Sequence, residues 1–413
     1  MIDANNQLAA LKDSVKRAYL GYPWYREKMD EAGIKPEDIA SLEDIRYLPF
    51  MTKDDLRKGY PWGVTAVDVV DVIRIHCSSG TTGKPTVVSY TQGDIDKWAE
   101  LMAWCLRVAG LRKDDIFQIS YNYGLFTGSF GYHYGAERIG CCVIPASGGY
   151  TERQIELMMD LGTTAITSTP SYALYLAEVL AEKGISPDQL KLRLGIFGGE
   201  PWSEEMRVQI ERGLGLVALD CYGLSEIWGP GVAIECSYKD GLHIREDYFI
   251  MEVIDPETLK PIPMGEEGEL VITTLNREAT PMIRYRTRDI TRLFYKSCAC
   301  GLSGLKMDRV KGRTDDMLII RGVNVFPKQI ESILGGFSEL SLNYQLVVGE
   351  KKHLKRLEVR CELSNGFMGD VDELTQRVSK TLKDKLGVTV DLVILPPGSL
   401  ERSSGKAKRL ISG

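Results

Sequence analysis

The chain has 413 residues, 44% of them apolar, enough to bury a large core in two or three domains and too many for a disordered chain. Its formal net charge of −6 argues against nucleic acid or an anionic membrane as the main partner. No charged-then-apolar leader and no run of membrane-spanning length occurs, and nine cysteines, an odd number, point to reduced thiols in a cytoplasm.

Residues 5–20 are predicted to form an amphipathic helix, with Leu8, Leu11, Val15 and Tyr19 at helical spacing. The aromatic cluster Tyr22-Pro-Trp-Tyr25 that follows reads as a packed turn. The segment Asp71-Val-Ile-Arg-Ile-His-Cys77 alternates and is rich in β-branched residues, so a strand is expected. Residues 91–109 suit a helix with Ile95, Trp98, Met102 and Leu106 on one face. Strands at 115–120, 141–145, 165–167, 192–197 and 216–221 then alternate with helices at 151–160, 171–183 and 203–213. That rhythm predicts an α/β domain with a largely parallel sheet, whose ligands sit beyond the carboxyl ends of the strands. The loops after Cys77, Ser120, Phe197 and Cys221 all begin at such ends.

From about Cys236 to Phe294 short alternating strands, such as 249–254 and 269–274, are separated by Pro- and Gly-containing turns. A mostly β subdomain, a partial barrel or sandwich, is expected there. From Asp316 the order becomes strand, helix, strand, strand, helix, strand, with helices starting near Pro327 and Asp370. Val371, Leu374, Val378, Leu382 and Leu386 form an apolar stripe on the second of them, and the tail from Pro396 reads as a basic loop. The expected organisation is a large N-terminal α/β domain, residues 1–314, with its β subdomain at about 236–312, and a small α+β domain, residues 315–413.

Residues 78–86, Ser-Ser-Gly-Thr-Thr-Gly-Lys-Pro-Thr, suit a polyanion. Glycines let N–H groups turn toward phosphate oxygens, hydroxyls add donors, and a lysine adds a point charge. This is not a Walker A loop, because only Thr81 and Thr82 separate Gly80 from Gly83 and Pro85 follows Lys84. A flexible surface turn is the simpler alternative. Elsewhere, Cys236 and His243 with Cys298 and Cys300 supply three thiolates and one imidazole, a common closed structural zinc set. Three unrelated thiols are the alternative, and a closed set would leave no open position for catalysis.

Residues 78–86 resemble the phosphate loop of the adenylate-forming superfamily of acyl-CoA synthetases, luciferases and nonribosomal adenylation domains. Three further segments resemble its phenylacetate–CoA ligase branch: Asp55-Leu-Arg-Lys-Gly-Tyr-Pro-Trp62, Tyr121-Asn-Tyr-Gly-Leu-Phe-Thr-Gly128 and Arg309-Val-Lys-Gly-Arg-Thr-Asp-Asp316. The resemblance implies that Ser78, Ser79, Gly80, Thr81, Thr82, Gly83 and Lys84 hold the β- and γ-phosphates of ATP. It implies that Gly198, Gly199 and Glu200 cradle adenine, although a tight strand-to-helix turn explains those glycines equally well. Tyr222-Gly-Leu-Ser-Glu226 is similar to the superfamily's Tyr-Gly-x-Thr-Glu, so Tyr222 and Gly223 would belong to the ATP site, the Ser225 hydroxyl would meet the α-phosphate and Glu226 would hold Mg²⁺. A carboxylate at a helix N-terminus is the alternative for Glu226.

Asp289 resembles the aspartate that accepts both ribose hydroxyls, a structural ion pair being the alternative, and Arg313 the arginine that reaches the ribose. Arg288 stands where many members have glycine. Asp315 resembles the hinge of a mobile small domain, and Lys406 the catalytic lysine of the C-terminal loop, with Lys408 two residues on as its rival and a solvated basic tail as the plain alternative. Tyr121, Phe126, Ile227 and Pro230 would line an acyl pocket suited to an aryl group, unless they are ordinary core.

The expected function is an AMP-forming aryl-acid CoA ligase, with ATP and CoA as co-substrates, Mg²⁺ bound and zinc structural. The alternatives are an adenylating enzyme with another acyl acceptor, as in deazaflavin-adenylating relatives, and a nucleotide-binding protein without catalysis. The identity of the acid, the CoA channel and the choice between monomer and homodimer stay open.

Overall fold

The computed structural model describes residues 4–78, 85–320, 323–351, 354–403, 406–407 and 409–412. Helices α1 (Ala4–Gly21), α2 (Pro23–Glu31) and α3 (Lys53–Lys58) come first, followed by the antiparallel pair β1 (Arg74–Cys77) and β2 (Val87–Tyr90). Thr52 starts α3 with a capping box: its hydroxyl accepts from Asp55 N–H at 3.3 Å, and the Asp55 carboxylate accepts from Thr52 N–H at 2.9 Å.

The alternating region follows in the order α4 (Gln92–Val108), β3 (Ile116–Ile119), α5 (Gly128–Ile139), β4 (Cys142–Ile144), α6 (Thr151–Asp160) and β5 (Ala165–Ser168). It continues with α7 (Pro170–Glu182), β6 (Leu194–Gly198), α8 (Glu204–Leu214) and β7 (Val217–Leu224). Strands β4, β3, β5, β6 and β7 lie side by side and parallel. Helices cover both faces, which is why β5 and β6 are buried along their whole length and read as continuous rather than alternating runs.

The next strands are β8 (Gly229–Glu235), β9 (Leu242–Ile244), β10 (Phe249–Ile254), β11 (Glu267–Thr274), β12 (Tyr285–Ser297), β13 (Ser303–Met307) and β14 (Gly312–Arg313). Sequence texture sets these apart as a subdomain. In the structure β8 pairs antiparallel with β7, so their hydrogen bonding continues the same sheet along the path β7-β8-β9-β13-β12-β11-β10. The sharp reversal between β7 and β8 makes this continuity, and Gly229 at its end has a φ of 104° that favours glycine.

The small domain comprises β15 (Leu318–Ile320), β16 (Val323–Val325), α9 (Pro327–Gly335), β17 (Leu340–Lys351), β18 (Leu354–Leu363), α10 (Val371–Leu386), β19 (Asp391–Leu395) and β20 (Leu410–Ser412). Its sheet runs β19-β18-β17-β20. Two expectations change here. The tail is not all loop, because β20 pairs parallel with β17. Val371 leaves the buried stripe of α10, since it is the first helical residue after the Asp370 cap and is 39% exposed.

The domains share an apolar core that runs from Leu176 and Ile210 of the large domain to Ile330 and Leu342 of the small one. Polar contacts fix the docking: Ser203 N–H donates to Glu331 at 2.8 Å, Ser332 Oγ to Glu205 at 2.8 Å, and Arg402 Nε to Glu178 at 3.1 Å. Among the described residues no helix is long and apolar enough to cross a membrane.

Candidate active site

A cleft of about 1060 Å³ opens where the carboxyl ends of β6 and β7, the β11–β12 pair and the small domain converge. Its lining includes Ser78, Phe126, Gly199, Glu200, Tyr222, Gly223, Ser225, Glu226, Asp289, Arg313, Asp315 and Lys406. These residues come from chain segments far apart, so the fold and not local sequence assembles them. Ser79, Gly80, Thr81, Thr82, Gly83 and Lys84, like Lys408, lie outside the described residues.

Ser78 and Thr86 pair at the two ends of the 78–86 stretch. Ser78 N–H donates to Thr86 O at 3.0 Å, and their hydroxyls meet in a short hydrogen bond. Thr86 Oγ1 donates onward to Glu226 Oε1 at 3.0 Å. Glu226 is buried at 5% exposure, with Lys53 Nζ 3.6 Å from the same oxygen. Its backbone carbonyl accepts from the buried Arg277 at 2.7 Å. Thr86 closes the 78–86 stretch, whereas Lys53, at the start of α3, belongs to none of the motifs that the sequence singles out.

Beside β12 and β14 the Tyr222 hydroxyl donates to Asp289 Oδ2 at 2.6 Å, and Arg313 Nη1 donates to Oδ1 at 3.0 Å. Burial pushes the Asp289 pKa up, and Arg313 with Tyr222 opposes that. Arg313 also forks onto Asp315, with Nε and Nη2 each 2.9 Å from a carboxylate oxygen. Arg288 has a φ of 68°, a left-handed conformation glycine adopts without strain, and its side chain turns toward Glu269 at 3.7 Å.

Gly198 closes β6, where a Cβ would collide with the carbonyl of Cys221, and Gly199 follows at a φ of 87°. Tyr121 lies beneath this loop rather than in the cleft lining: its hydroxyl sits 2.6 Å from Ser168 O and 2.8 Å from Gly198 O, and its ring stacks on Tyr132 at 5.6 Å. Phe126 does face the cleft, and Lys406 Nζ stands 5.6 Å from its ring centroid. Ile227 is fully buried, and Pro230 packs near Gly131 and accepts from Trp98 Nε1 at 3.1 Å. Neither is in the cleft lining.

Lys406 enters from the small domain and keeps solvent access through the cleft. Crowding by the cleft walls lowers its pKa, while Glu200 and then Glu226 oppose the drop.

Away from the cleft, Cys236 at the end of β8, His243 in β9, and Cys298 and Cys300 between β12 and β13 converge. Their ligand atoms all lie within 4.8 Å of one another, with Cys236 Sγ 3.6 Å from Cys298 Sγ and Cys300 Sγ 3.5 Å from His243 Nε2. The sulfur separation is far beyond a disulfide bond of about 2.05 Å. This set could hold a tetrahedral metal.

The AMP-binding enzyme family matches residues 27–276, and the AMP-binding enzyme C-terminal domain matches residues 322–412. The chain is 49% identical to phenylacetate-coenzyme A ligase of Pseudomonas putida, over 98% of this chain and 94% of that one. The chain belongs to the AMP-binding enzyme family, in its phenylacetate–CoA ligase branch. The ligase is also 48% identical to phenylacetate-coenzyme A ligase of Escherichia coli (strain K12), over 98% of this chain and 93% of that one. It is an AMP-forming acid–thiol ligase.

Its fold matches 2-hydroxyisobutyryl-CoA ligase in the postadenylation state with R3-HIB-AMP at a TM-score of 0.93, with 28% identity over 99% of this chain and 89% of that chain. Against the same protein in its thioesterification state, with 2-HIB-AMP and CoA, the TM-score is 0.74 at 28% identity and the same coverage. The ligase therefore has its domains placed as in the first of these arrangements, with Lys406 in the cleft.

Proposed function

We propose that the ligase activates a small aryl carboxylic acid of the phenylacetate type, forming an acyl-adenylate with ATP, and passes the acyl group to the thiol of CoA. The observation that carries this reading is the meeting of Lys406, Glu226 and the Asp289–Arg313 pair in one cleft beside the aromatic ring of Phe126. Asp289 and Arg313, with Tyr222 on Asp289, take the ribose, the loop of Gly198, Gly199 and Glu200 takes adenine, and Ser225, beside Gly223, meets the α-phosphate. Residues 78–84, with Lys84, take the β- and γ-phosphates. Phe126 forms the acyl wall, with Tyr121 beside it.

Adenylation brings two anions together, a carboxylate and the α-phosphate, and releases a third, pyrophosphate. Lys406 places its ammonium between the first two, a fixed charge where negative charge develops. Glu226 fits Mg²⁺: it is a buried carboxylate whose Oε1 meets, among the described residues, the Thr86 hydroxyl and the Lys53 ammonium, donors that a hard cation replaces. Bound there, Mg²⁺ would offset the charge on the departing pyrophosphate. Thiol attack then needs a second domain arrangement, and Asp315, tied to Arg313, is the hinge.

The four-residue cluster fits zinc. Tetrahedral bonds of about 2.3 Å to sulfur and about 2.0–2.1 Å to nitrogen put two sulfurs about 3.8 Å apart and sulfur and nitrogen about 3.5 Å apart, near the distances found. Cys236, His243, Cys298 and Cys300 would hold it as a closed structural site joining β8, β9 and the β12–β13 turn. Nine free cysteines support a reducing cytoplasm as the compartment.

The test is ATP–pyrophosphate exchange over a panel of carboxylic acids, repeated with CoA and AMP release. Exchange driven by arylacetic and aryl acids, with AMP and thioester formed once CoA is added, is the expected result. Exchange driven only by aliphatic acids, or an adenylate that CoA does not discharge, would contradict the reading.

A further inference from the structure

Glu200 holds two separate parts of the molecule. Its Oε1 accepts from Ser171 N–H at 2.8 Å, and its Oε2 accepts from Ala407 N–H at 2.8 Å. Ser171 lies in the first turn of α7, where backbone amides have no partner inside the helix and favour a carboxylate. Ala407 follows Lys406 on the last loop of the small domain. The second bond therefore crosses between domains one residue from the lysine in the cleft.

The neighbouring backbone is close as well. A Cβ on Gly199 would stand 3.6 Å from Lys406 Cε. Arg402, earlier in the same loop, is clamped by Glu362 at 2.7 Å and Glu178 at 3.1 Å. The loop is thus anchored on both sides of Lys406, by Arg402 before it and by the Ala407 amide after it. A carboxylate with one oxygen fixed on α7 offers its other oxygen in one direction only, so it sets the position of the amide that meets it.

We propose that Glu200 is a positioning residue for adenylation: its carboxylate bridges the N-terminus of α7 and the Ala407 amide, and so holds the Lys406 ammonium in the cleft. The inference rests on the adenylation role given to Lys406 above. Glu200 sits in the loop assigned to adenine, so nucleotide binding and lysine placement share one residue. When the small domain leaves for the thiol step, the Ala407 bond is released and the Ser171 bond remains.

The test is a double-mutant cycle on the full-length enzyme, with single-turnover acyl-adenylate formation as the readout. Glu200→Gln keeps the size and one acceptor but loses the charge and the second acceptor, and it should slow adenylation by ~10–100-fold at saturating ATP, whatever it does to the KM for ATP. In the Lys406→Ala background the same change should cost less than ~3-fold, because a residue that acts through the lysine has nothing left to position. Ala407→Pro deletes the amide donor from the other side and should reproduce the loss. Multiplicative losses in the cycle, a loss confined to the KM for ATP, or full adenylation by Ala407→Pro would overturn the proposal. Wild-type adenylation by Lys406→Ala would instead remove the role of the lysine, and that of Glu200 with it.

Discussion

Asp289 and Arg313 face each other across the β12–β14 pair, and Arg313 Nη1 donates to Asp289 Oδ1 at 3.0 Å. The same guanidinium forks onto Asp315 at 2.9 Å. One arginine thus joins the buried Asp289 carboxylate in the cleft to Asp315 at the junction of the two domains. Asp289→Asn keeps the shape and removes the charge that Arg313 pairs with. It should raise the KM for ATP by ~10–100-fold, as expected for a charged hydrogen bond worth ~1.5–3 kcal/mol. The KM for the acid should move far less. Exchange kinetics with each substrate varied separately distinguish the two outcomes, and equal changes in both would remove Asp289 from the ribose site.

Phe126 is the aromatic residue of the 121–126 loop that lines the cleft, and it lies under Lys406. Phe126→Ala should weaken aryl acids by ~1–3 kcal/mol of lost apolar contact, seen as a raised KM, with ATP binding nearly intact. A panel of acids of graded apolar size measures this. A loss of the same size for acetate and phenylacetate would place the ring outside the acyl pocket.

Metal analysis of protein purified without a His-tag should find one zinc per chain. Cys298→Ser should lower the melting temperature, because a metal bound only by the folded state stabilises that state. The variant should keep adenylation at permissive temperature, since the cluster stands apart from the cleft. Metal-free protein whose melting is indifferent to Cys298→Ser would contradict the site.

Asp115 offers a pH test of the large domain. Burial raises its pKa, but Arg193, Thr164 and the Arg112 N–H outweigh burial and hold it below the ordinary carboxylate value. Arg193 Nε is 2.9 Å away, Thr164 Oγ1 2.7 Å and Arg112 N 2.7 Å. A lowered folded pKa means the stabilisation is present above the unfolded value of about 3.9 and is lost as pH falls through the folded value. Asp115→Asn should therefore cost ~1–3 kcal/mol at neutral pH, and the gap to wild type should close under acid conditions. Urea titrations at a series of pH values give the gap directly, and a gap that ignores pH would show that charge is not what Asp115 contributes.

The alternation of strands and helices from β4 to β7 was legible because buried parallel strands and amphipathic helices differ in period, whereas α5, between β3 and β4, is rich in glycine and aromatic residues and was not expected. Ser78, the Tyr222–Glu226 turn and Lys406 each belong to a contiguous motif, and the structure brings these residues to one cleft. Side-chain contacts across the chain were not legible. Thr86 meets Glu226 from 140 positions away, and Glu200 meets Ala407 from 207. Local sequence carries no trace of such pairings. Tyr121 shows a second limit, since an aromatic residue in a loop after a strand can face the cleft or pack under it, and composition does not distinguish these. Strand β20 shows a third: three residues, Leu410–Ser412, carry too little periodicity to stand out from a basic tail.

Lys406, carried by the small domain, is proposed to serve adenylation and not thiol transfer. Lys406→Ala should slow single-turnover formation of acyl-adenylate from acid and ATP by ~10²–10³-fold, as for removal of a positioned electrostatic donor. Thioester formation from supplied acyl-adenylate and CoA should change little, and Lys408→Ala, measured in parallel, should leave both steps near wild type. If Lys406→Ala damages the second half-reaction as much as the first, or if Lys408→Ala alone reproduces the adenylation loss, the account is contradicted.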